Sequence, residues 1–365
     1  MPVKSLTLLN YRNYKNESFI FHYNFNLIIG QNGHGKTNLL EAINLICKFK
    51  PFRKTNLAEI INFGSDQTRL KGEILNKGNL NEINIQLLNS SKIIKVNNKI
   101  LYRTTKYSNL NKLVTFLPQE IDLIRGSAAN RRNYLDLMIT NLDPEHLVDS
   151  KNYYKILKQR NALLAKPPKD SSSLLEVWNE KLSEPAERIT KRRMKFINKI
   201  SPLISKYYSK ISGTGDLINI EYKTQFEITS NYSDDYICSL QQNLKKDILR
   251  KFTTTGPHRD QIVININGED SCKFASQGES KSLVLSIKSS EIDLYREQSG
   301  EHPILILDDI SSELDDMRKS YFSELLNNYS GQIFVTTANL EPAFERNANK
   351  IFHIVSGKIV RESGR

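Results

Sequence analysis

Residues 25–48, "FNLIIGQNGHGKTNLLEAINLICK", constrain the fold more than any other stretch of the chain. Leu27, Ile28 and Ile29 form a short apolar run that reads as a strand covered on both faces, and it stops at Gly30. From Asn38 onward, Leu39, Leu40, Ile43 and Ile46 recur at three and four residues, the period of a helix with a buried face. Between the two lies "GQNGHGKT", residues 30–37, which matches GxxxxGK[ST] in the strand-loop-helix context that motif requires. Glycines let successive backbone N–H groups turn inward on phosphate oxygens, and the helix start adds positive potential. Gly30, Gln31, Asn32, Gly33, His34, Gly35, Lys36, Thr37 and Asn38 are therefore the expected nucleotide-binding residues. Lys36 is the point charge for the phosphates, and the Thr37 hydroxyl is an expected ligand of Mg²⁺.

The complement is "PILILDDISSELD", residues 303–315. Ile304 to Leu307 is unbroken apolar sequence and delivers two carboxylates at the strand's C-terminal end, where open α/β sheets bind ligands. Asp308 is the expected second metal ligand, and Asp309 is placed to orient or deprotonate an attacking water. Gln119, after "TFLP", is a third candidate: an amide at a strand end can bond a metal-bound water, or can simply face solvent. The expected cofactors are ATP and Mg²⁺, with Asp309, Gln119 and Lys36 as catalytic residues and Thr37, Asp308 and Gln119 at the metal.

Around this pair the chain reads as α/β. Residues 68–103 suggest short antiparallel strands with Gly72, Gly78 and Asn97-Asn98 as turns. Residues 121–251 turn helical and lysine-rich and read as an inserted lobe. "QIVINING", "PILILDD" and "GQIFVTT" then read as strands that return the chain to the α/β layers. The expected organisation is a head in two parts, 1–120 and 252–365, with a basic, mainly helical lobe over 121–251.

The net charge of +12 favours a polyanionic partner. Residues 151–212 hold 15 Lys and Arg against 5 Asp and Glu, so nearly all of the excess lies in the lobe. Lys191, Arg192, Arg193 and Lys195, extended by Arg131 and Arg132, are the expected phosphate-tracking surface; a solvated helix face is the other reading. Little aromatic interleaving and no base-reading motif favour duplex backbone over stacked single strand. Three scattered cysteines argue against a disulfide framework or a CxxC metal site. No apolar run is long enough to span a bilayer, and the N-terminal stretch lacks a secretory pattern, so the expected location is cytoplasmic.

The ordered set "LLNYRNY", "GQNGHGKTNLLEAI", "LPQEIDLIRGSAANRRNYLD", "TTGPHRDQ", "SQGESKSLVLSIK" and "ILILDDISSELDDMR" resembles the RecF family of bacterial recombination mediators over nearly the full length. The resemblance implies an ABC-type P-loop ATPase head, a mixed sheet with helices plus an antiparallel patch, related to structural-maintenance-of-chromosomes heads. It implies that Ser276 and Gly278, at the start of the "SQGES" helix, close on the γ-phosphate held by a second copy, although Ser276 or Ser280 could equally be a helix cap. It places Asp315 of "SELD" at the dimer interface and directs Arg12 toward the phosphates, where a lone surface arginine is the alternative. Glu279 departs from the family's usual glutamine and adds negative charge near the trans phosphate contact. "GPHRD", residues 256–260, has no role that the sequence supplies.

The function implied is a slow DNA-dependent ATPase in recombinational repair. ATP drives a homodimer onto duplex or gapped DNA, with RecR, RecO and the RecA-loading pathway as partners and no membrane. Alternatives are the nucleotide-binding subunit of an ABC membrane transporter, which the basic lobe and the absence of a histidine after "QIFVTT" oppose, and a switch that binds but does not hydrolyse.

Overall fold

The computed structural model describes residues 2–52, 55–76, 78–102, 112–166, 171–309, 315–339 and 342–364. In chain order the strands are β1 (Val3–Tyr11), β2 (Tyr14–Ile20), β3 (Phe25–Ile29), β4 (Gln67–Asn76), β5 (Asn79–Leu88), β6 (Lys92–Val96), β7 (Lys99–Ile100) and β8 (Leu113–Phe116). They continue with β9 (Ile218–Lys223), β10 (Gln261–Ile266), β11 (Glu269–Asp270), β12 (Ile304–Asp308), β13 (Ile333–Thr337), β14 (Lys350–Val355) and β15 (Lys358–Gly364). The chain forms two compact units, residues 1–120 with 291–365, and residues 121–290.

In the first unit the described residues build two sheets. One has the order β15-β14-β3-β13-β12-β8, parallel from β14 to β8, with β15 added antiparallel at the edge. The other is antiparallel, in the order β2-β1-β4-β5-β6-β7. The helix Lys36–Lys48 touches strands of both sheets, and Leu39, Leu40, Ala42, Ile43, Leu45, Ile46 and Cys47 are all buried in one continuous core. A helix covered on two sides needs apolar residues around most of its circumference, so the single apolar stripe expected from spacing understates this helix. Asn97 and Asn98 take positive φ in the two-residue turn between β6 and β7, as expected of an Asn-Asn hairpin. Gly72 is not a turn: it lies within β4, where a Cβ would come 2.7 Å from Ile46 Cδ1 of the helix.

In the second unit the helix Glu145–Ala165 packs along the 42-residue helix Ser171–Ser212, and a small sheet has the order β11-β10-β9. β10 pairs antiparallel with β9 from Gln261↔Lys223 to Ile266↔Ile218. The expectation that "QIVINING" returns to the head sheet is therefore corrected, and the inserted unit continues to residue 290 rather than ending at 251. The physical signal is parity. Ile262, Ile264 and Ile266 alternate as in a strand with one buried face, whereas Ile304 to Leu307 of β12 are buried without a break.

Candidate functional site

The glycine loop is pinned from outside itself. Tyr14 Oη donates to the Gly35 carbonyl at 2.9 Å, Asn13 Nδ2 to the His34 carbonyl at 2.9 Å, and the Gly357 N–H to the same His34 carbonyl at 2.9 Å. Gly35 has φ +112, and a Cβ there would meet Asn13 Nδ2 at 2.6 Å, so both backbone and neighbour require glycine. Lys36, on the first turn of the following helix, is buried, and its Nζ donates to the Gly30 carbonyl at 2.7 Å and to Asn32 Oδ1 at 3.4 Å.

Parallel pairing of β13 with both β3 and β12 brings the C-terminal ends of these three strands together at this loop. Thr37 Oγ1 donates toward both Asp308 oxygens, each at 2.9 Å, although the two residues are 271 apart in sequence. Thr336, registered against Asp308 across the β12–β13 pair, donates to Asp308 Oδ1 at 2.8 Å and accepts the Asp309 N–H at 3.0 Å. Asp309 Oδ2 lies 3.7 Å from Lys36 Nζ, in a residue held at φ +48. Burial pushes the Asp309 carboxyl up, the Lys36 ammonium opposes that, and the Asp308 charge adds to it. A raised carboxyl beside a lysine, at the C-terminal edge of a parallel sheet, is placed as a proton acceptor needs to be. One hydroxyl and one carboxylate in contact form a hard oxygen donor set that suits Mg²⁺ better than a softer metal. Gln119 is exposed in the 3₁₀ turn Pro118–Ile121 after β8, the strand that neighbours β12.

Arg12 is committed elsewhere. Its Nε and Nη2 bind Glu41 at 3.0 and 3.1 Å, and its Nη1 donates to the Glu59 carbonyl at 3.0 Å. Glu41 is buried and also accepts from Tyr11 Oη at 3.2 Å, so this carboxylate inside an apolar helix is matched by Arg12 and Tyr11. Arg12 thus clamps the helix after the glycine loop to the β1–β2 turn. Of "SELD", residues 312–314 lie outside the described residues. Asp315 caps the helix Asp316–Asn327, accepting from Arg318 N at 3.0 Å, and is exposed.

In the second unit Ser276 and Glu279 form a reciprocal cap. Glu279 N donates to Ser276 Oγ at 3.2 Å, and Ser276 N donates to Glu279 Oε2 at 2.7 Å. Glu279 is therefore a helix-start device as well as a nearby charge. The cap uses a lone pair of the Ser276 oxygen and leaves its proton to donate. Gly278 lies in the first turn of the same helix.

The basic surface is redrawn by burial. Arg193 is 1% exposed, bidentate on Asp136 at 2.8 Å and bonded to the Pro257 carbonyl at 2.6 Å. Arg131 donates to the carbonyls of Ile262, Ile124 and Gly126, and Arg132 to that of Asp260. Arg192 pairs with Asp143 and Asp149. Arg193 is framework, and the expectation that it tracks a phosphate backbone is corrected by its burial; Arg131, Arg132 and Arg192 are half-buried and spend donors on carbonyls and carboxylates of their own unit. Lys191 is exposed and paired with Glu187, whereas exposed Lys195 has no ion pair among the described residues. Lys151, Lys155 and Lys158, not singled out from sequence, are exposed without an ion pair among the described residues and share one face of the helix Glu145–Ala165 by i, i+4, i+7 spacing.

"GPHRD" acquires a role here. His258 Nδ1 is 2.7 Å from Tyr153 Oη, which is 3.1 Å from Tyr236 Oη, and His258 Nε2 is 3.0 Å from the Thr253 carbonyl. Burial pushes the His258 imidazole down to about 4, so it is neutral at pH 7, accepting from the Tyr153 hydroxyl and donating to Thr253. A Cβ on Gly256, at φ +125, would fall onto the Tyr236 hydroxyl. The motif is a buried hydrogen-bonded joint of the inserted unit.

A family model described as RecF/RecN/SMC N terminal domain matches residues 2–360. A protein named DNA replication and repair protein RecF from Streptococcus suis (strain 05ZYH33) is 33% identical over 362 residues, covering 98% of this chain and 99% of its own. The chain belongs to the RecF family. A second RecF relative, from Geotalea uraniireducens (strain Rf4), is 36% identical over 346 residues, 93% of this chain and 94% of its own. A solved structure titled "Structure of the recombination mediator protein RecF-ATPrS in RecFOR pathway" superposes with a TM-score of 0.89 at 32% identity, covering 98% of this chain and 97% of that one. A Pyrococcus furiosus Smc head superposes at TM-score 0.59 and 17% identity, covering 99% of this chain and 96% of that one, which establishes the shared fold. RecF membership sets aside the reading as a membrane-transporter subunit, and the expected α/β ATPase-head fold holds.

Proposed function

We propose that the chain is an ATP-driven DNA clamp of recombinational repair. Lys36 and the loop from Gly30 to Asn38 bind the triphosphate, while Thr37 and Asp308, with Gln119 at the neighbouring strand end, hold Mg²⁺, which neutralises phosphate charge. Asp309 orients the attacking water and takes its proton. The observation that carries this reading is the convergence of Thr37, Asp308 and Thr336 within 2.9 Å and of Asp309 on Lys36 at 3.7 Å. ATP-bound copies associate head to tail, so that Ser276 and Gly278 of one cover the γ-phosphate on the other, with Asp315 near the junction. Loss of that phosphate removes the contact and releases the pair.

The clamped polymer is duplex or gapped DNA, held by Lys151, Lys155, Lys158, Lys191 and Lys195 through counterion release and therefore without regard to sequence. Hydrolysis is slow and DNA-dependent, and the partners are RecR, RecO and the RecA-loading pathway. The RecF relatives named for DNA replication and repair, and the RecF-ATP structure titled for the RecFOR pathway, support this setting. Duplex affinity measured over a salt series tests the DNA arm. Replacing Lys151, Lys155 and Lys158 by alanine is expected to reduce the log–log salt slope by about 2 to 3 and weaken all sequences alike. An unchanged slope contradicts this surface.

A further inference from the structure

β13 ends on two hydroxyl residues whose side chains take opposite faces of the sheet, as strand alternation requires. The Thr337 carbonyl accepts the Gly30 N–H at 3.3 Å, tying the strand to the start of the glycine loop, while the Thr337 hydroxyl is spent on the Asn339 carbonyl at 2.8 Å. Thr336, registered against Asp308, turns instead to the acids of β12 and is 1% exposed.

A hydroxyl has one proton to give and two lone pairs with which to accept. Thr336 Oγ1 lies 2.8 Å from Asp308 Oδ1 and 3.4 Å from the Leu307 carbonyl, so its proton goes to the nearer, charged oxygen. One of its lone pairs takes the Asp309 N–H at 3.0 Å. A single side chain therefore grips two consecutive acids, the first by its carboxylate and the second by its backbone. Asp308 is buried, and its Oδ1 receives both Thr336 and Thr37 whereas Oδ2 receives Thr37 alone. The Thr336 bond thus fixes the rotation of the carboxylate and leaves Oδ2 with lone pairs to spare. Asp309 has φ +48, a left-handed backbone that a residue with a side chain holds when its surroundings impose it. Thr336 supplies the acceptor for the N–H of that residue, whose carboxylate lies 3.7 Å from Lys36 Nζ.

We propose that Thr336 is a positioning residue for ATP hydrolysis, one hydroxyl that sets both the rotation of the metal-binding Asp308 and the backbone turn that aims Asp309. The inference rests on the proposed ATP function and adds what keeps the metal ligand and the proton acceptor in register, since a shift of either acid is carried to the other through one oxygen. Valine has the same branched shape, so Thr336→Val keeps the strand and its packing but can neither donate to Asp308 nor accept from Asp309. Thr336→Ser does the reverse, keeping the hydroxyl and losing a buried methyl.

The test compares these two variants in the full chain, by calorimetric ATP titration in Mg²⁺ and in EDTA and by phosphate release over a Mg²⁺ series. Thr336→Val is expected to raise the Mg²⁺ concentration for half-maximal turnover and to lower kcat, each by about 10- to 100-fold, the usual loss when the partner that orients a metal ligand is removed. Its ATP affinity in EDTA, which reports Lys36 and the glycine loop, is expected within twofold of wild type, while its affinity in Mg²⁺ falls. Thr336→Ser is expected to recover the Mg²⁺ response and the turnover that valine loses. A residue that only fills space predicts the opposite ranking, with serine the worse of the two, and that ranking overturns the proposal. Thr336→Val with wild-type kcat and Mg²⁺ response, or with equal losses of ATP affinity in Mg²⁺ and in EDTA, overturns it as well and leaves the ATP function standing. Failure of the unaltered protein to bind ATP, or turnover that needs no Mg²⁺, overturns the proposed ATP site itself, and the role of Thr336 with it.

Discussion

Asp309→Asn separates the counter-ion that Asp309 is from the proton acceptor it is proposed to be. Without nucleotide it is the counter-ion of Lys36, at 3.7 Å. Two unit charges near 4 Å attract by about 4 kcal/mol at an effective dielectric constant near 20. The Asp309 side chain is 32% exposed, which screens the pair and reduces its worth to about 1 kcal/mol. Removing the carboxylate frees Lys36 for the phosphates and removes a negative charge from the site, so ATP is expected to bind about fivefold more tightly. The same substitution removes the proposed proton acceptor, and turnover is expected to fall by about 10²- to 10⁴-fold. The signature is therefore opposite movement: dissociation constant down by calorimetry, kcat down by phosphate release. A variant that turns over within about threefold of wild type refutes the assignment of Asp309, and one that binds ATP tenfold more weakly refutes the electrostatic account of the pair.

Two further outcomes follow from the inserted unit. His258 has its imidazole pushed down from the ordinary 6.5 to about 4, so the unfolded chain takes up a proton that the folded one refuses. Stability is complete above about pH 6.5 and is expected to fall by about 3 kcal/mol as pH drops toward 4; His258→Gln should flatten that part of the urea-unfolding profile, and parallel profiles contradict it. Arg193→Ala leaves Asp136 without its bidentate partner at 2.8 Å and is expected to cost about 3–5 kcal/mol of stability, with duplex affinity of the folded protein within twofold of wild type; a large affinity loss at unchanged stability would return Arg193 to the DNA surface.

How much of this was legible in the sequence divides along contact distance. The strand, glycine loop and helix from Phe25 to Lys48 are local, so periodicity and the motif were enough to read them. Asp308 and Asp309 were readable because an unbroken apolar run ends on them. Thr336 was missed because its value comes from lying opposite Asp308 in the neighbouring strand; its one signal was a pair of hydroxyl residues closing the otherwise apolar "IFVTT". Glu41 was missed because a carboxylate among apolar helix residues declares itself only once Arg12 and Tyr11 are seen to fold over it. The basic lobe misled for the same reason. Arg160 and Arg193 count toward its charge excess yet are fully buried against Asp247 and Asp136, pairings that join residues 87 and 57 apart. Composition located the charge, and only packing separated framework arginines from exposed lysines.

The central claim is that ATP joins two copies through Ser276, and mass in solution tests it most directly. Light scattering of the 42.0 kDa chain with and without ATP, for wild type and Ser276→Arg, should show wild type doubling in mass only with ATP and the variant binding ATP as a single chain. A wild-type chain that remains single when saturated with ATP, or a Ser276→Arg chain that doubles as readily, contradicts it.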